Sequence, residues 1–257
     1  MSSHLSPPTR PQLTGCSYSE KSVMAAGTRK FIRSPGCVVL AILAAGCATP
    51  QPTSSMTSEP PACRAHCIGP GKIVSAVGGF TVVLTEKWLN GGNTTQEFAI
   101  NPLDVPDDEI LFWLDASPST KRDEPVTGVP NTPKGLYDWL AADPDLTVST
   151  AQPVTIGDGI PAIAFDLRVS DTAVNLDPNC PGRACVDFLL HPPPGSPPIG
   201  ISDNERMRIY LAQVGRGAKA NALVTVVSAA DDEQLTAFAP RVSSVLASIR
   251  LPADLRP

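Results

Sequence analysis

The chain has 257 residues, a formal charge of −5 and a 42% hydrophobic composition of which little is aromatic. That is enough for one domain of ordinary size with further segments attached. Lys and Arg are neither in excess nor clustered, so the basic patch that a nucleic-acid partner requires is absent and no nucleic-acid role is expected.

In chain order, Met1 to Val23, "MSSHLSPPTRPQLTGCSYSEKSV", has no export character and reads as a start-site artefact or a disordered leader. Met24 opens a different pattern. Arg29, Lys30 and Arg33 supply a positive start, "VVLAILAAG" an apolar core, and Ala44, Ala45 and Gly46 a small-residue ending, which are the three parts of an export signal over 24–46. The apolar run is about half of the roughly 20 residues that a membrane-spanning helix needs.

The ending "LAAGC" resembles the lipobox of bacterial lipoproteins, in which the cysteine is acylated and becomes the first residue of the processed chain. The resemblance implies lipidation at Cys47, by palmitate-type chains on a diacylglyceryl group. The protein is then expected to be held at the extracytoplasmic side of the cell membrane. Each buried methylene contributes about 0.8 kcal/mol, and two chains hold where one slips off.

Residues 47–62 follow with "ATPQPTSSMTSEPP", rich in Pro, Ser and Thr and without an aromatic residue, a composition that cannot offset its chain entropy by burial. It reads as a flexible tether, and 63–257 as a single globular domain. Four cysteines belong to that domain: Cys63 and Cys67 in "CRAHC", Cys180 and Cys185 in "CPGRAC". In an exported protein an even set reads as disulfides, and four cysteines allow three connectivities. Pro181 and Gly182 favour a turn that closes Cys180 onto Cys185, leaving Cys63 with Cys67 by elimination. A zinc site using His66 and His191 is the competing reading, weakened because neither cysteine spacing is the two-residue gap of a zinc knuckle.

Strand patterns dominate the domain. "FTVVLT" places Phe80, Val82 and Leu84 on one face; "IAFDLRV" sets Ile163, Phe165, Leu167 and Val169 against Ala164, Asp166 and Arg168; "RMRIYLAQV" sets Met207, Ile209 and Leu211 against Arg208 and Tyr210. "EILFWLD" and "ALVTVVS" are apolar on both faces and fit central strands, with turns expected at "NGGN", "GDG" and "GRGAKAN". "PKGLYDWLAADP" predicts a helix with Pro133 at its first position, Leu136, Trp139 and Leu140 as its apolar stripe and Pro144 as its end. "DDEQLTAFAPRVSSVLASIRL" predicts a closing amphipathic helix, with Asp231 and Gln234 as a capping box and Pro240 kinking or dividing it. The expected class is α+β: a largely antiparallel sheet with a dry face on which the C-terminal helix packs.

That order of elements, with the ending "SSVLASIRL", resembles the PsbP-like fold of exported actinobacterial lipoproteins of the LpqN type over about Gly78 to Leu251. The resemblance implies a binding or accessory module of the cell envelope, whose partner is an envelope protein or an apolar or glycolipid ligand. No G-x-S-x-G elbow is present, "IGISDNE" around Ser202 lacks the second glycine, and "GPGK" at Gly69 to Lys72 lacks the earlier glycine of a phosphate loop. No cofactor or metal is therefore expected. An extracytoplasmic hydrolase with an unrecognised site is the alternative function. For the binding reading, Leu111 and Trp113 are expected to share a sheet face with Arg168, Arg208 and Tyr210, turned away from the closing helix; the competing reading puts them under a second small packing layer beneath the proline-rich "HPPPGSPP", His191 to Pro198.

Overall fold

The computed structural model describes residues 67–119, 126–174, 180, 182–190, 198–217 and 220–257, all within the Met56–Pro257 unit of the chain. The expectations placed on Cys47, Cys63, His66 and His191, and on the leader, signal and tether, lie outside the described residues. No helix among the described residues is long and apolar enough to cross a membrane.

The fold is α+β. Strands β1 (Cys67–Ile68), β4 (Trp88–Asn93), β5 (Phe98–Pro102), β6 (Glu109–Leu114), β8 (Leu146–Val148), β9 (Gln152–Ile156), β10 (Ile160–Val169), β13 (Arg206–Val214) and β14 (Asn221–Ala229) form one sheet. Its order is β1-β4-β5-β6-β14-β13-β10-β8, with β9 also on β10, and every pairing is antiparallel. A hairpin of β2 (Gly71–Val74) and β3 (Thr81–Leu84) and a three-stranded sheet of β7 (Ser117–Pro118), β11 (Cys185–Leu190) and β12 (Ile199–Ser202) complete the strands. The two helices are α1 (Pro133–Ala142) and α2 (Asp232–Ala247).

The alternating segments fold as their patterns require. In β10 Phe165, Leu167 and Val169 are buried while Asp166 and Arg168 are exposed. In β13 Met207, Ile209 and Leu211 are buried and Arg208 and Tyr210 half-buried. The two unpatterned apolar segments, β6 and β14, lie side by side in mid-sheet. Thr132 caps α1 by accepting the Gly135 amide, and Asp231 caps α2 by accepting that of Gln234 at 2.8 Å. Pro240 does not divide α2, which runs unbroken from Asp232 to Ala247. Leu235, Phe238, Val242, Val245 and Leu246 all reach the core from it.

Two expectations are corrected. "NGGN" is not a turn: Asn90 to Asn93 belong to β4, which bulges between Asn90 and Gly92. A Cβ on Gly91 would sit 2.8 Å from the Asn101 side chain and 2.9 Å from that of Ala99, so the glycine serves a close approach between strands. The chain reverses after it, where the Thr94 hydroxyl accepts the amides of Gln96 and Glu97.

The second correction concerns the faces of the sheet. Trp113 pairs with Val224, which pairs with Leu211, which pairs with Ile163; Leu111 follows the same line through Val226 and Ile209 to Phe165. Paired residues of antiparallel strands share a face. Leu111 and Trp113 therefore lie on the face opposite Arg168, Arg208 and Tyr210, and it is the latter three that share a face with α2.

Both faces are covered over the middle of the sheet. On the α2 side Phe80, Trp88, Phe98, Ile110 and Phe112 pack with Phe238, Val242 and Val245; the Phe98 and Phe112 rings stack at 5.5 Å and Trp88 meets Phe238 at 6.0 Å. On the other side Trp113, Phe165, Ile209, Leu211 and Val224 pack under Leu136 and Leu140 of α1 and Val186, Phe188 and Ile201 of the small sheet. Asp115, with φ of 60°, makes the turn by which the chain leaves β6 for that covering layer.

Cys180 and Cys185 are bridged, with Cα atoms 5.6 Å apart. Asp203 braces the loop, its carboxylate accepting the Arg183 amide at 2.7 Å and pairing with the Arg183 guanidinium at 3.2 Å. Cys67 is also disulfide-bonded.

Candidate functional site

The helix α2 covers only part of its face of the sheet. Beyond its N-terminus, toward the β8 edge, the outward residues of β8, β10 and β13 become polar. A cleft of about 250 Å³ opens there, lined by Thr147, Val148 and Ser149, by Asp166, Leu167 and Arg168, by Arg206 and Met207, and by Asp232 and Leu235 of α2. Leu167 and Met207 send their side chains into the core on the other face. They give the cleft main chain; Thr147, Ser149, Asp166, Arg168 and Arg206 give it side chains.

Register sets the contacts. Arg208 stands opposite Asp166 and holds it bidentately, Nε to Oδ1 at 2.6 Å and Nη2 to Oδ2 at 3.1 Å. This hydrogen bond, with the Asp166 charge, pushes the Arg208 pKa further up against the opposing effect of burial. Tyr210, the next outward residue, packs against the α2-side core. Burial raises its phenol pKa, partly opposed by the charge of Arg208.

At the α2 end of the cleft, Arg206 Nε lies 3.5 Å from Asp232 Oδ1 while its Nη1 donates to the Glu205 carbonyl at 2.8 Å. The Nε itself makes no hydrogen bond, so its link to Asp232 is Coulombic. Ser149 locks the β8 edge to β10: its hydroxyl oxygen accepts the Asp166 amide at 2.8 Å, and its own amide donates to the Asp166 carbonyl at 2.9 Å.

Arg168 stands opposite Thr147 in the β8 and β10 ladder. It is exposed, and no carboxylate among the described residues pairs with it. Two cations of this surface, Arg206 and Arg208, are thus matched by Asp232 and Asp166, and the third is not.

Of the five residues expected to form one surface, the structure brings together Arg168, Arg208 and Tyr210 and puts Leu111 and Trp113 in or against the opposite core. Sequence reasoning missed Thr147, Ser149, Asp166, Arg206 and Asp232. Opposite charges at outward positions of two alternating strands, Asp166 and Arg208, were the available signal.

The sheet carries a second titrating group near the start of α2. Asp108, before β6, is 3% exposed and its Oδ1 has no hydrogen-bond partner. Burial raises its pKa, reinforced by the charges of Asp107, Asp104 and Asp231 and opposed by Arg241. Arg241 is itself engaged with Asp104 at 2.7 Å and Glu86 at 3.0 Å.

Catalytic pairings are sparse. Ser202 donates to Glu205 at 3.0 Å, but Ser202 is 4% exposed and Glu205 also accepts its amide at 2.8 Å. Both bonds close the turn between β12 and β13. Among the described residues no three His, Cys, Asp or Glu side chains come together as a metal-ligand set. No protein-family model and no curated protein matches the chain.

Proposed function

We propose that this chain is an extracytoplasmic lipoprotein, anchored to the cell membrane through Cys47, whose domain is a binding or accessory module of the envelope with the α2-side cleft as its binding seat. The observation that carries the reading is the cleft itself. It is the place where polar side chains of three strands converge beside a helix end, and it has hydrogen-bond donors to offer without a nucleophile held against a base. The bridge between Cys180 and Cys185 fits an oxidising compartment, as the export signal requires. Kinship with the PsbP-like, LpqN-type lipoproteins belongs to the same proposal, supported by an antiparallel sheet closed by a C-terminal amphipathic helix.

A photo-reactive residue in place of Thr147, which is exposed at the cleft, tests the seat in intact cells. Irradiation is expected to give a covalent adduct that the same residue at exposed Glu233 does not give. Equal yields at the two positions refute the reading. The anchor is tested by metabolic labelling with a clickable fatty acid: the parent takes the label and Cys47→Ala does not, while equal labelling refutes lipidation there. Turnover of ester or glycoside reporters that disappears in Ser202→Ala would favour the hydrolase instead.

A further inference from the structure

We infer that the cleft recognises a single monoanionic oxygen group, a carboxylate or a phosphodiester, with Arg168 as its principal ligand. The inference rests on the cleft being the binding seat proposed above. It follows from the pairing of charges, because Asp166 is held bidentately by Arg208 and Asp232 faces Arg206. Among the described residues the Arg168 guanidinium has no counter-ion of its own, so their part of this surface carries one uncompensated positive charge.

Donors exceed acceptors there. A guanidinium presents its N–H groups in a planar fork that matches two oxygens of one anion. Beside it, the Ser149 oxygen already accepts the Asp166 amide, which leaves the hydroxyl hydrogen to donate outward. Thr147, across the ladder from Arg168, adds another hydroxyl. The Asp166 and Asp232 carboxylates make a second anionic charge on the ligand unfavourable. At about 250 Å³ the cleft lies just below the size of sites that enclose a whole drug-sized molecule. It suits one head group or chain end, with the remainder of the ligand left outside.

The test is a titration of the purified full chain, followed by NMR of its arginine Nε–Hε resonances, with three probes: acetate, dimethyl phosphate and uncharged methyl glucoside. Acetate, dimethyl phosphate or both are expected to shift the Arg168 resonance saturably. Arg168→Gln is expected to weaken that binding at least tenfold, Arg168→Lys to weaken it less, and Arg216→Gln, on the loop before β14, to leave it unchanged. A preference for dimethyl phosphate identifies a lipid or polymer phosphodiester as the source, and one for acetate a carboxylate. Arg168→Gln binding as well as the parent, or no saturable shift with either anion, overturns the inference. If methyl glucoside binds the cleft and the anions do not, or if the Thr147 adduct persists in Arg168→Gln, the anion inference falls while the binding-module reading stands.

Discussion

Replacing Trp113 by Ala separates a core role for this residue from a surface role. Its side chain is 3% exposed and sits among Phe165, Leu211, Val224 and the covering layer of α1 and the small sheet. A tryptophan buries about 150–250 Å², which at roughly 25 cal/mol per Å² is about 4–6 kcal/mol of transfer free energy. Because alanine keeps part of that area and the unfolded chain already buries some of it, the truncation costs about 3–5 kcal/mol. For a domain of this size each kcal/mol moves Tm by about 2–4 °C, so the variant is expected to melt about 10 °C below the parent. Thermal unfolding by circular dichroism and urea titration at neutral pH measure the loss. The comparison variant is Arg208→Ala, whose partly exposed ion pair with Asp166 predicts no more than about 1 kcal/mol. A Tm for Trp113→Ala within ~3 °C of the parent would refute the assignment of this face to the core.

Further outcomes are expected elsewhere. Cys180→Ser combined with Cys185→Ser opens a loop of five-residue separation, worth about 2 kcal/mol in denatured-chain entropy; non-reducing peptide mapping of the parent recovers the two cysteines on one bridged peptide, and free thiols there contradict the structure. Asp231→Ala removes the cap of α2 and costs about 1 kcal/mol, read as a fall in urea midpoint without a change in slope. Asp108 has a folded-state pKa above its ordinary value, so its ionised form costs stability at neutral pH; the cost fades as pH falls through the folded-state value and is gone below the unfolded one. Asp108→Asn is therefore expected to be more stable than the parent at pH 7 and to lose that advantage on acidification, and a gap that widens toward acid contradicts the burial argument.

Most of the elements were legible in the sequence because each carries its own period. β10 and β13 alternate cleanly, α1 has Pro133 at its start, and α2 has Asp231 and Gln234 at its start. Relative phase between strands was not legible. "EILFWL" is apolar at successive positions, so nothing local says which of its faces continues that of Arg208; only the pairings of Leu111 with Val226 and Trp113 with Val224 decide it. A second packing layer over Leu111 and Trp113 was foreseeable from their apolar alternation, but the strands that build it were not, since β7 and β12 are too short to show a period. Of the candidate cleft and its surroundings, Arg168 and Arg208 were visible as outward residues of their strands, while Arg206 was not singled out. Thr147 and Ser149 were not, because the three residues of β8 cannot announce a strand without the partner β10.

The strand order has a consequence for how the chain reaches its native state. β6 completes its pairing with β14, and α1, β8 through β13 and the disulfide loop all intervene between Leu114 and Asn221. A chain synthesised from its N-terminus thus produces the β4, β5 and β6 meander early and leaves "EILFWL" with an unpaired apolar edge until the last strand emerges. Contacts so distant in sequence form slowly, and an open hydrophobic edge invites pairing with another chain in the interval. The nascent protein is thus most vulnerable to aggregation between those two points, and a chaperone that shields a β-strand edge would act on it there.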